Sequence, residues 1–247
     1  MERETGAMRG AARIHHAFVA LLILCGRKSL AAETHIADCG ACVFSKRTTP
    51  DNNIALVRSG SCTADCTGRL DLSQQGLTAI SEGVFDGLSG VTELVLAENS
   101  LSSLPSGVFG ELSSLEHLEL QDNAITALPS DVFAGLSTLV TIALSGNTLS
   151  TLPAGVFADL GALTYLEISD NSLTRLDAGS FAGLARLSAL LLDHNSIGNV
   201  HQSALAQLKA LQVRRLQRSI DAASPLTPAL DLVIAAQPKS RVCRGSI

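Results

Sequence analysis

Residues 115–138 read LEHLELQDNAITALPSDVFAGLST, with apolar residues at the first, fourth, sixth, eleventh, fourteenth, nineteenth and twenty-second places. The same frame starts again, with no insertion or deletion, at Thr67, Val91, Leu139, Leu163 and Leu187. Residues 67–210 therefore divide into six blocks of 24. Of the 42 places that the frame marks, 41 are apolar, and the exception is Thr67 at the very edge. In a chain that is 46% hydrophobic such a match is not chance. A fixed period of this size marks stacked structural units, each too small to bury its own apolar face.

Within a block, alternating apolar residues such as Leu94-x-Leu96 or Leu118-x-Leu120 predict a short strand with one buried face. The ninth place holds Asn99, Asn123, Asn147, Asn171 and Asn195, with Gln75 in the first block. A buried Asn needs partners, so these amides are expected to form a structural ladder where the chain turns away from the strand. Pro105, Pro129 and Pro153 follow the apolar fourteenth place and suit an extended return segment that donates no N–H. Phe85, Phe109, Phe133, Phe157 and Phe181 repeat at the nineteenth place and read as one internal column of core spacers.

The pattern LxxLxLxxNxLxxLPxGVFxGLxx resembles the typical 24-residue class of extracellular leucine-rich repeats, found in variable lymphocyte receptors, Toll-type receptor ectodomains and Slit-like proteins. The resemblance covers about 144 residues. It implies an α/β repeat fold: a horseshoe solenoid with a concave parallel β-sheet and short convex helical turns. Members commonly use the concave sheet for protein recognition, but fold alone does not fix a ligand.

The flanks read differently. Residues 1–32 carry Arg3, Arg9 and Arg13 before the apolar run AFVALLILCG and then small residues at 29–32. This suits a signal peptide, and ten apolar residues are too few to span a bilayer; a buried N-terminal helix is the alternative. Residues 33–66 hold Cys39, Cys42, Cys62 and Cys66, where the family places a disulfide-bonded N-terminal cap. Four cysteines allow three pairings, and a zinc site is the competing use of the spacing. The long spacer Val43–Ser61 departs from the family. Residues 211–247 begin a degenerate seventh repeat, with Arg214 in a Leu place and Ser219 in an Asn place, and continue into a basic tail. The family's C-terminal cysteine cap has no counterpart there. The tail improvises a cap, or a second chain pairs with the open end to give a homodimer, or the sequence is part of a longer receptor.

A net charge of −5 argues against a nucleic-acid partner, and no stretch of the mature chain is long and apolar enough to cross a membrane. No triad, metal-ligand spacing or phosphate-binding loop stands out, so neither an enzyme, a cofactor nor a metal is expected. The repeats carry 15 Asp and Glu against four Lys and Arg. The variable strand places that face the concave side hold Glu93, Glu116, His117, Glu119, Asp122, Tyr165, Glu167, Asp170 and Asp193. This is either a solvated acidic surface or a groove for a basic protein or peptide. Tyr165, the only Tyr in the chain, lies next to small Thr141 and Ala189, with Glu167 on its own strand and Glu119 two coils away. The expected function is secreted, extracellular recognition of a protein ligand, in defence or adhesion. The alternatives are a receptor ectodomain fragment and a structural matrix protein or inhibitor.

Overall fold

A computed structural model describes residues 33–60 and 66–215. The signal-peptide segment, Cys62 and the tail after Arg215 lie outside the described residues. In chain order the strands are β1 (Glu33–Cys39), β2 (Cys42–Thr48), β3 (Ile54–Ser59), β4 (Thr67–Asp71), β5 (Ala79–Ile80), β6 (Gly90–Val95), β7 (His117–Glu119), β8 (Thr141–Ala143), β9 (Tyr165–Glu167), β10 (Arg175–Leu176), β11 (Ala189–Leu191), β12 (Asn199–Val200) and β13 (Val213–Arg215).

Seven of these form one parallel sheet, ordered β13-β11-β9-β8-β7-β6-β4. Its register is the sequence period made visible: Glu93, His117, Thr141, Tyr165 and Ala189 pair in one row, each 24 residues after the last. Val213 extends that row beside Ala189, so a seventh coil starts. The chain stacks as a leucine-rich repeat solenoid. Of the 42 frame places, 40 are buried; Thr67 is exposed and Val200 half-buried. The eighteenth place, absent from the frame above, is buried in every coil as Val84, Val108, Val132, Val156, Ser180 and Ala204. The hydroxyl of Ser180 accepts the Asp177 N–H at 2.8 Å, so this one polar member is satisfied.

The Phe column packs ring beside ring, with centroids 5.9 Å apart for Phe85 and Phe109 and 5.8 Å for Phe133 and Phe157. Phe44 of the cap adds to it at 6.4 Å from Phe85. Each fully buried Phe contributes about 1.5–3 kcal/mol by removal from water, as do the buried Leu and Ile of the same coils.

The convex helical turns expected from the family do not form: no helix occurs among the described residues. The segments are runs of tight turns instead. In the second coil Val108, Gly110, Leu112 and Leu115 donate their N–H groups to the carbonyls of Pro105, Gly107, Phe109 and Leu112. These are three-residue spacings over too few residues to nucleate an α-helix. A left-handed glycine also interrupts the turn in five coils, as at Gly155 (φ 74) and Gly183 (φ 90), and such a residue stops helical propagation.

The spacer that departs from the family is a hairpin. β1, β2 and β3 are antiparallel neighbours, and β3 pairs in parallel with β5 of the first coil. Cys42, Phe44 and Leu56 are fully buried against Leu70, Leu72 and Leu77, closing the apolar end of the solenoid. Cys39 is joined to Cys66, 27 residues away, and Cys42 is also disulfide-bonded. A zinc site needs these thiolates free, so the zinc alternative is set aside.

Candidate functional site: the open face of the sheet

Each central strand is three residues long, with a buried middle residue and two half-buried flanking ones that face away from the core. The strands are held at their C-terminal ends by the Asn ladder. Asn147 shows the unit: its Oδ1 accepts the Ile125 N–H at 3.0 Å, and its Nδ2 donates to the carbonyls of Leu120 and Leu144 at 2.9 and 3.1 Å. Asn99, Asn123, Asn171 and Asn195 repeat this pattern one coil apart. Each amide thus ties its own coil to the preceding one.

Just before each ladder residue, the eighth place has left-handed backbone in all six coils: Gln74, Glu98, Asp122, Gly146, Asp170 and His194, with φ between 51° and 64°. Five of the six are not glycine, and a left-handed side-chain-bearing residue is uncommon. This backbone turns the eighth N–H back onto the next coil, as where Asp122 donates to the Ser145 carbonyl at 2.9 Å. At Gly146 a Cβ would lie 2.3 Å from Asp122 Oδ1, so a larger residue there would require the exposed Asp122 side chain to move.

The predicted surface residues separate into three groups. At the N-terminal end Arg69 pairs with Glu93 and, at 2.9 Å, with Asp71. Hydrogen bonds from Ser73 hold the Asp71 carboxyl below the usual carboxylate range, and Arg69 adds to the effect. The hydrogen bond to Asp71 and the charge of Glu93 raise the Arg69 guanidinium further above its ordinary value. Glu93 is thereby matched by a cation within the chain. Along the eighth-place row, Gln74 donates to Glu98 at 2.8 Å and His194 meets Asp170 at 2.8 Å; Asp122 lies exposed between them. Glu116 is exposed one residue before β7, and Asp193 is half-buried. His117 is engaged laterally with the Thr141 hydroxyl at 2.8 Å.

The third group comes together. Glu119, Tyr165 and Glu167 line a depression of about 310 Å³ with Gln121, Leu118, Thr141, Ile142, Ala143 and Ser145. The fourth coil makes its floor with the small residues Thr141, Ala143 and Ser145, while longer side chains rise from the third and fifth coils. Tyr165 donates its hydroxyl to Glu167 Oε2 at 2.9 Å. Gln121 Nε2 donates to Glu119 Oε2 at 3.2 Å, whereas Gln121 Oε1 is buried without a hydrogen-bond partner. Among the described residues no cation lines the depression. Gln121 and Ser145 were not singled out from the sequence; the signal that finds them is the seventh-place row read across neighbouring coils. No group of three metal-ligating side chains occurs among the described residues, and no helix there is long and apolar enough to cross a membrane.

Comparison with known proteins agrees with this architecture. The leucine rich repeat family profile matches residues 68–125, 116–173 and 162–216, together more than half of the chain. No curated protein matches the sequence. Among solved structures, the chain is similar to one from a TLR13–ssRNA13 complex, at 29% identity and a TM-score of 0.57, over 60% of this chain and 21% of that one. It is also similar to one from the Drosophila Toll–Spatzle complex, at 25% identity and a TM-score of 0.52, over 72% of this chain and 27% of that one. The chain therefore spans roughly a quarter of the length of these two relatives. A continuous family match over six coils, a parallel sheet in 24-residue register and an unbroken Asn ladder lead to one identification: the chain belongs to the leucine-rich repeat family.

Proposed function

We propose that this chain is a secreted, non-enzymatic recognition module that binds a basic protein or peptide on the open face of its sheet. The observation that carries the reading is the depression at coils three to five, where Tyr165 stands beside Glu119 and Glu167. Tyr is favoured at interface hot spots because a rigid ring buries much area for little lost freedom. The two carboxylates add long-range attraction for a positive partner. Disulfides in the cap and the signal-peptide-like segment support an extracellular setting. Of the two structural relatives, TLR13 is in complex with a single-stranded RNA and Toll with Spatzle. For this chain, an acidic face disfavours a phosphate backbone, which places the protein-type ligand ahead.

A second reading, a segment of a membrane receptor's ectodomain, draws on the likeness to Toll-type chains; sequencing the transcript past the codon for Ile247 tests it. For the main reading, a random peptide library is selected on the purified full chain. Enrichment of sequences combining Lys or Arg with an apolar residue is expected, with binding lost in a Glu119→Gln, Tyr165→Ala, Glu167→Gln variant. Selected peptides that bind the triple variant like wild type would move recognition away from this face.

A further inference from the structure

We infer that the depression over the fourth coil is a seat for a single arginine side chain of the partner, an assignment that rests on the sheet-face reading above and sharpens it. Size comes first. At about 310 Å³ it lies at the small end of the roughly 300–1,000 Å³ range of ligand pockets. It therefore admits one long side chain rather than a folded loop. Its floor is small because Ala143 and Ser145 occupy the fifth and seventh places, where the third coil has Glu119 and Gln121.

The chemistry of the walls then selects the occupant. Glu119 and Glu167 share the fifth-place row with Ala143 between them. Parallel strands lie about 4.8 Å apart, so their backbones are separated by about 10 Å. Two carboxylate arms thus reach toward one gap. Glu167 already accepts from Tyr165, and Glu119 from Gln121, at one oxygen each; a carboxylate has lone pairs for more. The Oε1 of Gln121 is a buried acceptor left without a donor, an arrangement that native proteins rarely leave unexplained. Two carboxylates, with the Gln121 amide beside one of them, therefore line the gap from two sides, and an occupant with many donors and no acceptor satisfies them. A guanidinium has five N–H donors in a rigid plane, matches carboxylates in bidentate fashion and stacks on aromatic rings. The neighbouring Tyr165 ring supplies that last partner. A lysine ammonium presents its donors at one point and does not span two carboxylates on alternate strands while also reaching Gln121.

The test titrates the full chain with three probes: acetyl-Gly-Leu-Arg-Leu-Gly-amide, its Lys counterpart, and octalysine, followed by NMR. The Arg peptide is expected to shift the Gln121 side-chain amide, the Ala143 methyl and the Tyr165 ring resonances, and to bind more tightly than the Lys peptide. Gln121→Leu should weaken the Arg peptide about tenfold, the worth of one hydrogen bond to a charged group, while leaving the Lys peptide unchanged. Gln121→Glu, which keeps an acceptor in place, should retain the preference for Arg. Equal binding of Arg and Lys peptides, or a Gln121→Leu protein that binds both like wild type, would overturn the arginine seat. If octalysine still bound and depended on Glu119 and Glu167, the acidic-face reading would stand without it. If neither pentapeptide nor octalysine bound, both readings would fall together.

Discussion

Truncating one rung of the Asn ladder is expected to loosen the solenoid by an amount that can be worked out from its bonds. In Asn147→Ala the Ile125 N–H loses its partner, because Asn147 Oδ1 accepts it at 3.0 Å. The carbonyls served by Nδ2 are not orphaned: the weakly bound Ser145 carbonyl, at 3.4 Å, keeps the Asp122 N–H. Leu120 still receives the Asn123 amide at 3.1 Å, and Leu144 the Asn171 amide at 2.9 Å. The cost is therefore one buried donor left unsatisfied, about 1–3 kcal/mol, plus two lost bonds of about 0.5–1.5 kcal/mol each. The sum is about 2–6 kcal/mol. Asn147→Asp should be at least as costly, since it keeps the acceptor for Ile125 but turns a buried negative charge toward two carbonyl oxygens. Repeat proteins distribute stability coil by coil, so urea unfolding is best paired with hydrogen exchange. The Ile125 amide should lose protection far more than amides of the first coil. A cost below about 1 kcal/mol with Ile125 protection unchanged would refute the view that the ladder couples adjacent coils.

Three further outcomes follow from the geometry. Replacing both Cys39 and Cys66 by Ala should cost about 3–4 kcal/mol on chain-entropy grounds for a loop of this length, with exchange at Phe44 and Leu56 rising first; a melt identical to wild type would show that the hairpin holds without its staple. Gly183→Ala should cost about 2 kcal/mol or more, because the site has φ +90° and the new Cβ would sit 2.3 Å from the Ala158 carbonyl oxygen. Gly161→Ala, where nothing lies within 4 Å of the Cβ, is the neutral control, and equal melting of the two variants would contradict the assignment. The Asp71 carboxyl is more acidic folded than unfolded, so its contribution is complete above the ordinary aspartate range and is lost as the pH falls through its lowered value. Between about pH 5 and pH 2 the urea midpoint of Asp71→Asn should consequently fall less steeply than that of wild type.

The repeat period was legible because each structural relation it encodes is local: a 24-residue offset becomes the strand register, as in Glu93 opposite His117 opposite Thr141. The Asn places were legible for the same reason, since a buried amide at a turn has few ways to be satisfied. What the sequence hid depends on backbone state or on neighbours one coil away. Convex helices were expected from the family, but left-handed residues such as Gly155 and Gly183 break those segments into turns. The spacer Val43–Ser61 stands out only as a departure from the family, although the turn residues Thr49-Pro50-Asp51-Asn52-Asn53 between two β-branched and aromatic stretches mark a hairpin. On the sheet face, composition counted acids without seeing that Arg69 already pairs with Glu93 and Asp71. The depression itself is a lateral effect of small residues in one coil beside long ones in the coils on either side. Gln121 joins it through the seventh-place row, which shows only when neighbouring coils are read side by side.

The most direct test of recognition on the open face is the association kinetics of a library-selected basic peptide, followed over a range of ionic strength. For wild type the association rate should fall steeply with salt. In Glu119→Gln, Glu167→Gln protein the rate should be slower at low salt and its salt dependence flatter. Tyr165→Ala should act mainly on dissociation and cost about 2 kcal/mol or more of affinity. Identical rates and salt slopes for wild type and both variants would contradict the account and place the ligand on another surface of the repeats.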